Sequence, residues 1–442
     1  MGVMWCVVGV RVMRRAAEFG RSCSFWRDLF GRPKSTACSG CGPGYQSPLH
    51  AMKGEREKIV YLPCIYRNTA TRQADYLATV DVDPESPSYC QTVEAVDLYW
   101  KCGLANPHTS HCLGSGQILI SCMGDPSGAG KGGFVLLDGE TFEVTGNWES
   151  PGEAAPFGYD FWYQPRHNVM ISSEWGAPKF LADGFNPAHV AEGQYGTSLH
   201  VWDWTTRKRV QTLDLGEEGA IPLEIRFLHD PAAAEGFVGC ALKGSVFRFY
   251  KASTGKWSAD KVIGVPSKKV EGWMLPEMPG LITDILISLD DRFLYFSNWL
   301  HGDIRQYDIS DTKNPRLVGQ VFLGGSLTAD GPVRVLDDPE KQPAPRFIQG
   351  KRIHGGPQML QLSLDGRRLY VTTSLYSGWD KQFYPEMIRE GSVMMQIDVD
   401  SERGGLSLNE NFLVDFGKEP GGPALAHELR YPGGDCTSDI WL

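Results

Sequence analysis

The sequence predicts an all-β protein, and within that class a β-propeller, on three observations. Gly 51 and Pro 28 among 442 residues are more turn formers than a helical bundle tolerates, and many fall between short β-rich runs. From about Ile59 onward few stretches hold a helical period long enough for a substantial helix. Two segments also repeat one grammar, a strand, a Leu-Asp-Asp or Leu-Asp-Gly turn, a second strand rich in Tyr, Val and Thr, and a third strand ending in Asp.

The clearest copies run from Ile287 through Asn298-Trp299 to Asp303-Ile-Arg-Gln-Tyr-Asp308 and Arg316 to Phe322, and from Leu362 through Val371-Thr-Thr-Ser374 to Ser392 and Asp400. Weaker copies lie at Gly133 to Trp148, at Asn168 to Leu215 with the strand Val201-Trp-Asp-Trp204, and at Ile225 to Val265. Each unit is too small to bury its own sheet, so repetition implies four-stranded blades set in a ring. A β-sandwich does not usually carry the same strand-turn-strand signature along a whole chain.

The composition is 42% hydrophobic and 22% charged, which excludes disorder, collagen and coiled coil as the dominant state. Residues 1 to 37 hold seven basic side chains against Glu18 and Asp28, so a basic arm precedes a body more acidic than the formal net charge of -10 suggests. An acidic body repels phosphate backbones, which argues against nucleic acid as a partner and leaves only the arm for a membrane or targeting role. The arm's Arg-rich make-up also suits a mitochondrial presequence, although an alternative first exon explains it equally well. The apolar run Val3 to Val10 is far below the roughly 20 residues that span a bilayer, and its basic cluster follows it instead of preceding it. Cys6 stands where a myristoylation signal needs Ser or Thr. Eleven cysteines without a secretory signal or an Asn-x-Ser/Thr sequon fit a reducing compartment, and Cys38-Ser-Gly-Cys41 has no second pair at zinc-ribbon spacing.

Gly124-Asp-Pro-Ser-Gly-Ala-Gly-Lys-Gly132 fails as a phosphate loop at Asp125 and Gly132 and reads as a hairpin loop. The chain has no Gly-x-Ser-x-Gly elbow and no His-Glu-x-x-His motif. His108-Thr-Ser-His111-Cys112 sets two imidazoles and a thiol within five residues, a donor set suited to copper, zinc or iron. On a regular strand His108 and His111 would face opposite sides, so joint ligation needs a bulge, which Asn106-Pro107 invites. His301 in Trp299-Leu-His-Gly-Asp303 and His427 in Ala426-His-Glu428 follow strands or Gly/Pro-rich loops that reach a channel mouth. The dense aromatics of Tyr159 to Tyr163 and Tyr376 to Trp379 read as inter-blade packing ahead of a substrate cage.

Longer runs carry a family resemblance. Tyr61-Leu-Pro-Cys-Ile-Tyr-Arg-Asn68, Tyr76-Leu-Ala-Thr-Val-Asp-Val-Asp-Pro84, His108-Thr-Ser-His-Cys112, Gly158-Tyr-Asp-Phe-Trp-Tyr163, Ser374-Leu-Tyr-Ser-Gly-Trp-Asp-Lys-Gln-Phe-Tyr384 and Leu429-Arg-Tyr-Pro-Gly-Gly-Asp-Cys436 closely resemble the selenium-binding protein family. The resemblance implies a seven-bladed propeller that oxidises methanethiol with O2 and water to formaldehyde, hydrogen sulfide and hydrogen peroxide. It implies copper, as in bacterial relatives, and the residues themselves add the expectation that some of His108, His111, His301 and His427 hold it in the channel, with His301 and His427 catalytic. It implies selenium bound covalently at Cys90 in Tyr89-Cys-Gln91, and a cytosolic, nuclear and peripheral-membrane distribution. A non-enzymatic selenium- or thiol-binding scaffold with a part in intra-Golgi transport, or an inactive variant, stands as the alternative. Residues 1–37 have no counterpart in the family, and 38–442 form one propeller domain. Between the Tyr-Cys-Gln and His-Thr-Ser-His-Cys motifs the family carries a long segment that Thr92 to Pro107 replaces here, so about one blade of some 40–45 residues is expected to be missing or incomplete.

Overall fold

In the computed structural model, residues 47–437 are described, apart from 55, 66–75, 88, 90–101, 140–143, 339–341, 420 and 432–433. The basic arm 1–37 and Cys90 lie outside the described residues. Antiparallel sheets dominate, and the propeller expectation holds. Five four-stranded sheets follow the chain in order and serve as blades 1 to 5, over residues 105–147, 161–214, 222–264, 282–322 and 360–415. A sixth sheet joins Ile59–Ile65 and Tyr76–Asp81 to the late strand Leu425–Ala426, so both ends of the described chain share one sheet. The two segments that repeat most clearly supply the second strands Phe293–Asn298 and Arg368–Thr372 of blades 4 and 5. Gly124 to Gly132 turns the hairpin of blade 1, with Asp125 accepting the Ser127 and Ala129 amides.

Apolar strands bury both faces because each blade is sandwiched between neighbours. Phe134 of blade 1 meets Trp202 of blade 2 edge to face at 5.4 Å, and Ile285, Leu294 and Phe296 of blade 4 pack with Phe237 and Val246 of blade 3. Each such side chain contributes on the order of 1.5–3 kcal/mol relative to exposure.

The inner strands are joined by a repeated polar latch. In blade 2 the Ser173 hydroxyl accepts from the Asp160 amide at 3.1 Å and donates to the Leu223 carbonyl of blade 3 at 2.5 Å. Ser121 and Ser297 make the same pair of bonds in blades 1 and 4, to Tyr159 and Gln358. Thr372 of blade 5 donates to the His427 carbonyl. Blade 3 has Gly239 at this position, and a Cβ there would meet Ile282 Cγ2 at 2.8 Å. The latch satisfies backbone groups that the sheets leave unpaired inside the ring, where an orphan costs about 1–3 kcal/mol. It also fixes the register from blade to blade. His108, Tyr159, Leu223, Thr283, Gln358 and His427 therefore occupy equivalent places on successive inner segments.

Two excursions from the blades meet over this end. Leu181 and Phe185, from the segment after the second strand of blade 2, bond to Trp379 and Gln382 of the helix Ser377–Phe383 in blade 5.

Candidate active site

The equivalence of His108 and His427 brings them to one place. Both line a cavity of about 20 Å3 whose other walls are Pro107, Met123, Tyr159, Trp175, Leu375 and Tyr376. A single water needs roughly 10–15 Å3 by this measure, so the space suits a molecule of very few atoms. Nδ1 of His427 lies 2.6 Å from the Ser374 carbonyl. A carbonyl only accepts, so Nδ1 carries the proton and Nε2 the lone pair. His108 sets Nδ1 at 3.0 Å from the Thr109 hydroxyl and stacks on Tyr159 with ring centroids 3.7 Å apart. Burial pushes His427 down to about 3. His108 has part of its surface open to the cavity yet sits deep in the protein, and burial lowers it to about 4 against the opposing pull of Asp160. Both imidazoles are neutral at pH 7, the form that ligates a metal.

The other histidines of the predicted set are not walls of this cavity. A bulge does form in blade 1, where the register shifts between Pro107 and Ser110 and Asn106 takes φ 57°. It leaves His111 on the far side, buried against Phe161, Trp162 and Tyr163, with Nε2 3.1 Å from the Phe161 carbonyl. His301 sits on the turn after the second strand of blade 4 and directs Nε2 at the Met278 carbonyl, 3.1 Å away. Among the described residues no three His, Cys, Asp or Glu side chains form a metal-holding group. The aromatic runs divide between the two readings: Phe161 and Trp162 pack between blades, whereas Tyr159 and Tyr376 form cavity wall.

Behind the cavity lies a charged cluster that the sequence reading missed. Arg226 of blade 3 bridges Asp160 at 2.6 Å and Glu224 at 3.0 Å, with Asp284 of blade 4 at 3.6 Å. Burial alone would raise Asp160, but Arg226 overrides it and holds the carboxyl at about 2. Glu224 is pushed well above its ordinary value by burial and by neighbouring Asp160. Burial lifts Asp284 to about 7. Asp160 and Asp284 each also accept the inner-strand amide of the next blade, Ile225 at 2.8 Å and Leu360 at 2.7 Å. One signal for these acids was present: Tyr-Asp-Phe161, Leu-Glu-Ile225, Thr-Asp-Ile285 and His-Glu-Leu429 recur in the same frame.

Comparison with known proteins gives the family. The model of the 56 kDa selenium binding protein family (SBP56) matches residues 39–98 and 90–442. The methanethiol oxidase of Danio rerio is 66% identical over 472 residues, covering 92% of this chain and 100% of its own. That of Homo sapiens is 62% identical with the same coverage. Both alignments run longer than this chain, so the relatives carry residues it lacks. A crystal structure of a hypothetical selenium-binding protein from Sulfolobus tokodaii superposes with a TM-score of 0.79 at 34% identity, over 90% of this chain and 98% of that one.

Proposed function

The chain belongs to the 56 kDa selenium-binding protein family, and we propose that it is a methanethiol oxidase whose reaction takes place in the cavity shared by His108 and His427. The observation that carries this site is the pair of neutral imidazoles opening on one small, mostly apolar space. In the net reaction methanethiol, O2 and water become formaldehyde, hydrogen sulfide and hydrogen peroxide: the carbon gives up two electrons, O2 takes up two electrons and two protons, and the C–S bond breaks.

The donor chemistry of the two histidines fits copper, with neutral imidazole nitrogens oriented by hydrogen bonds at Nδ1. His108 and His427 would supply two of its donors. Copper, when bound, supplies one-electron chemistry with O2 and lowers the pKa of a thiol bound to it. The chain's own contribution is positional. Met123, Leu375 and Pro107 give the substrate methyl an apolar wall, Ser374 and Thr109 hold the ring planes, and the small volume excludes bulk water.

Selenium binding belongs to the same family reading. Burial pushes the thiols of Cys240 and Cys436 up to about 12 and Cys122 higher still, which leaves them inert as nucleophiles. Cys90, the position that matches the family's attachment site, remains the candidate. Cytosolic and nuclear residence is part of the proposal. No described helix is long and apolar enough to cross a membrane, and cell fractionation tests the placement. The segment present in the relatives and lacking here is inferred to be an internal deletion near residues 92–107. An oxygen electrode tests the activity: the copper-loaded chain consumes O2 on addition of methanethiol and returns one hydrogen peroxide per O2. Absence of uptake would favour the binding-scaffold alternative.

A further inference from the structure

Three large buried tryptophans give their indole N–H to a protein acceptor. Trp202 donates to the Ser172 hydroxyl at 3.0 Å, Trp299 to the Thr373 carbonyl at 3.3 Å and Trp379 to the Leu181 carbonyl at 3.1 Å. Trp175 differs. The residue is 4% exposed and forms a wall of the histidine cavity, yet its buried Nε1–H has no acceptor among the described residues. A buried donor left without a partner is rare in native structures and generally marks a place where a ligand or water completes the bond.

The ring is held firmly enough to define such a place. Trp175 meets Tyr159 edge to face at 5.3 Å, Trp379 at 5.4 Å and Tyr376 at 6.2 Å. The preceding residue, Glu174, is itself pinned by His200 at 2.6 Å and by the Ser198 amide at 3.1 Å. The indole therefore has little freedom to turn its N–H elsewhere. An uncharged, fixed donor in a low-dielectric pocket favours an anionic acceptor, and charge-assisted bonds are about twice as strong as neutral ones.

We propose that the Trp175 Nε1–H is the hydrogen-bond donor that receives the sulfur of a small bound thiolate in this cavity. The inference rests on reading the cavity as the thiol site, and it adds the group that recognises the sulfur. No covalent step is assigned to Trp175.

The test uses the full chain under nitrogen, where no turnover occurs, with hydrosulfide and methanethiolate as probes in a calorimetric titration. Trp175→Phe keeps the aromatic packing and deletes the donor. Loss of one hydrogen bond to a charged group corresponds to binding weaker by about tenfold to a hundredfold. Trp202→Phe, which removes a donor already engaged by Ser172 away from the cavity, is expected to leave the affinity unchanged. In the wild-type chain the Trp175 indole proton should shift downfield in a nitrogen-labelled sample on adding hydrosulfide, a readout that does not depend on a variant folding. Equal affinity of Trp175→Phe and wild type, or an indole proton that does not move, overturns the proposal. If wild type turns over methanethiol while Trp175→Phe keeps its KM, the role of Trp175 falls and the oxidase reading stands. If wild type binds neither probe, both fall.

Discussion

Replacing His427 by Asn tests the physical state of the site without reference to turnover. Asn can place an N–H where Nδ1 of His427 donates to Ser374, so the hydrogen bond survives while the titratable ring is lost. Burial holds the folded His427 at about 3, against 6.5 for the free side chain. Because the folded value is depressed, the unfolded chain binds the proton first. The stability contribution is therefore fully present above the unfolded value and is lost as pH falls from about 6.5 toward about 3. At about pH 4.5, roughly two units below the unfolded value, the unfolded imidazole is protonated and the folded one is still neutral. At roughly 1.4 kcal/mol per unit, wild type should lose about 3 kcal/mol more than His427→Asn between about pH 7.5 and pH 4.5. Urea unfolding at the two pH values measures this as a difference between two midpoint shifts at constant slope. Equal losses in the two proteins would show that His427 is not held neutral, and the argument for a ready metal-binding imidazole would fail with it.

Three further outcomes follow from the same structure. Ser173→Ala orphans the Leu223 carbonyl and the Asp160 amide, and should cost about 2–6 kcal/mol at about 1–3 per buried group, read from the urea midpoint; a loss below about 0.5 kcal/mol would show that the latch does not hold the blades together. Arg226→Met strands the ionised Asp160 in the ring and should destabilise by about 3–5 kcal/mol, whereas Lys243→Met at the exposed pair with Glu217 should leave the thermal midpoint in place; equal effects of the two would contradict the buried cluster. Met123→Ala enlarges the cavity beside His108, so the ratio of kcat/KM for ethanethiol over methanethiol should rise by about tenfold or more, and an unchanged ratio would exclude Met123 from the substrate wall.

The blades were legible because their signal is periodic. The Leu-Asp turn and the Tyr/Val/Thr strand after it recur at Phe293–Asn298 and Arg368–Thr372, and each copy reinforces the other. Two of the four candidate ligands, His108 and His427, converge because they hold the same place in successive units, an equivalence that comes from the latch rather than from their separation in sequence. His111 and His301 do not join them. The bulge at Asn106 shifts the register without turning His111 round, and nothing in Trp-Leu-His-Gly announces that the ring will be claimed by the Met278 carbonyl. The acids at 160, 224, 284 and 428 were visible only as a short recurring frame, weak against background composition. The unanswered N–H of Trp175 was not legible at all, since whether an acceptor lies nearby depends on packing between blades 1, 2 and 5.

The most direct measurement is hydrogen sulfide and formaldehyde release from methanethiol, under air, by the copper-loaded chain and its His108→Ala, His427→Ala and His301→Ala variants. Equimolar products are expected from the wild type, with loss of release on changing His108 or His427 and retention on changing His301. No release by the wild type, or release that survives loss of His108 and His427, would contradict an oxidase working through these two histidines.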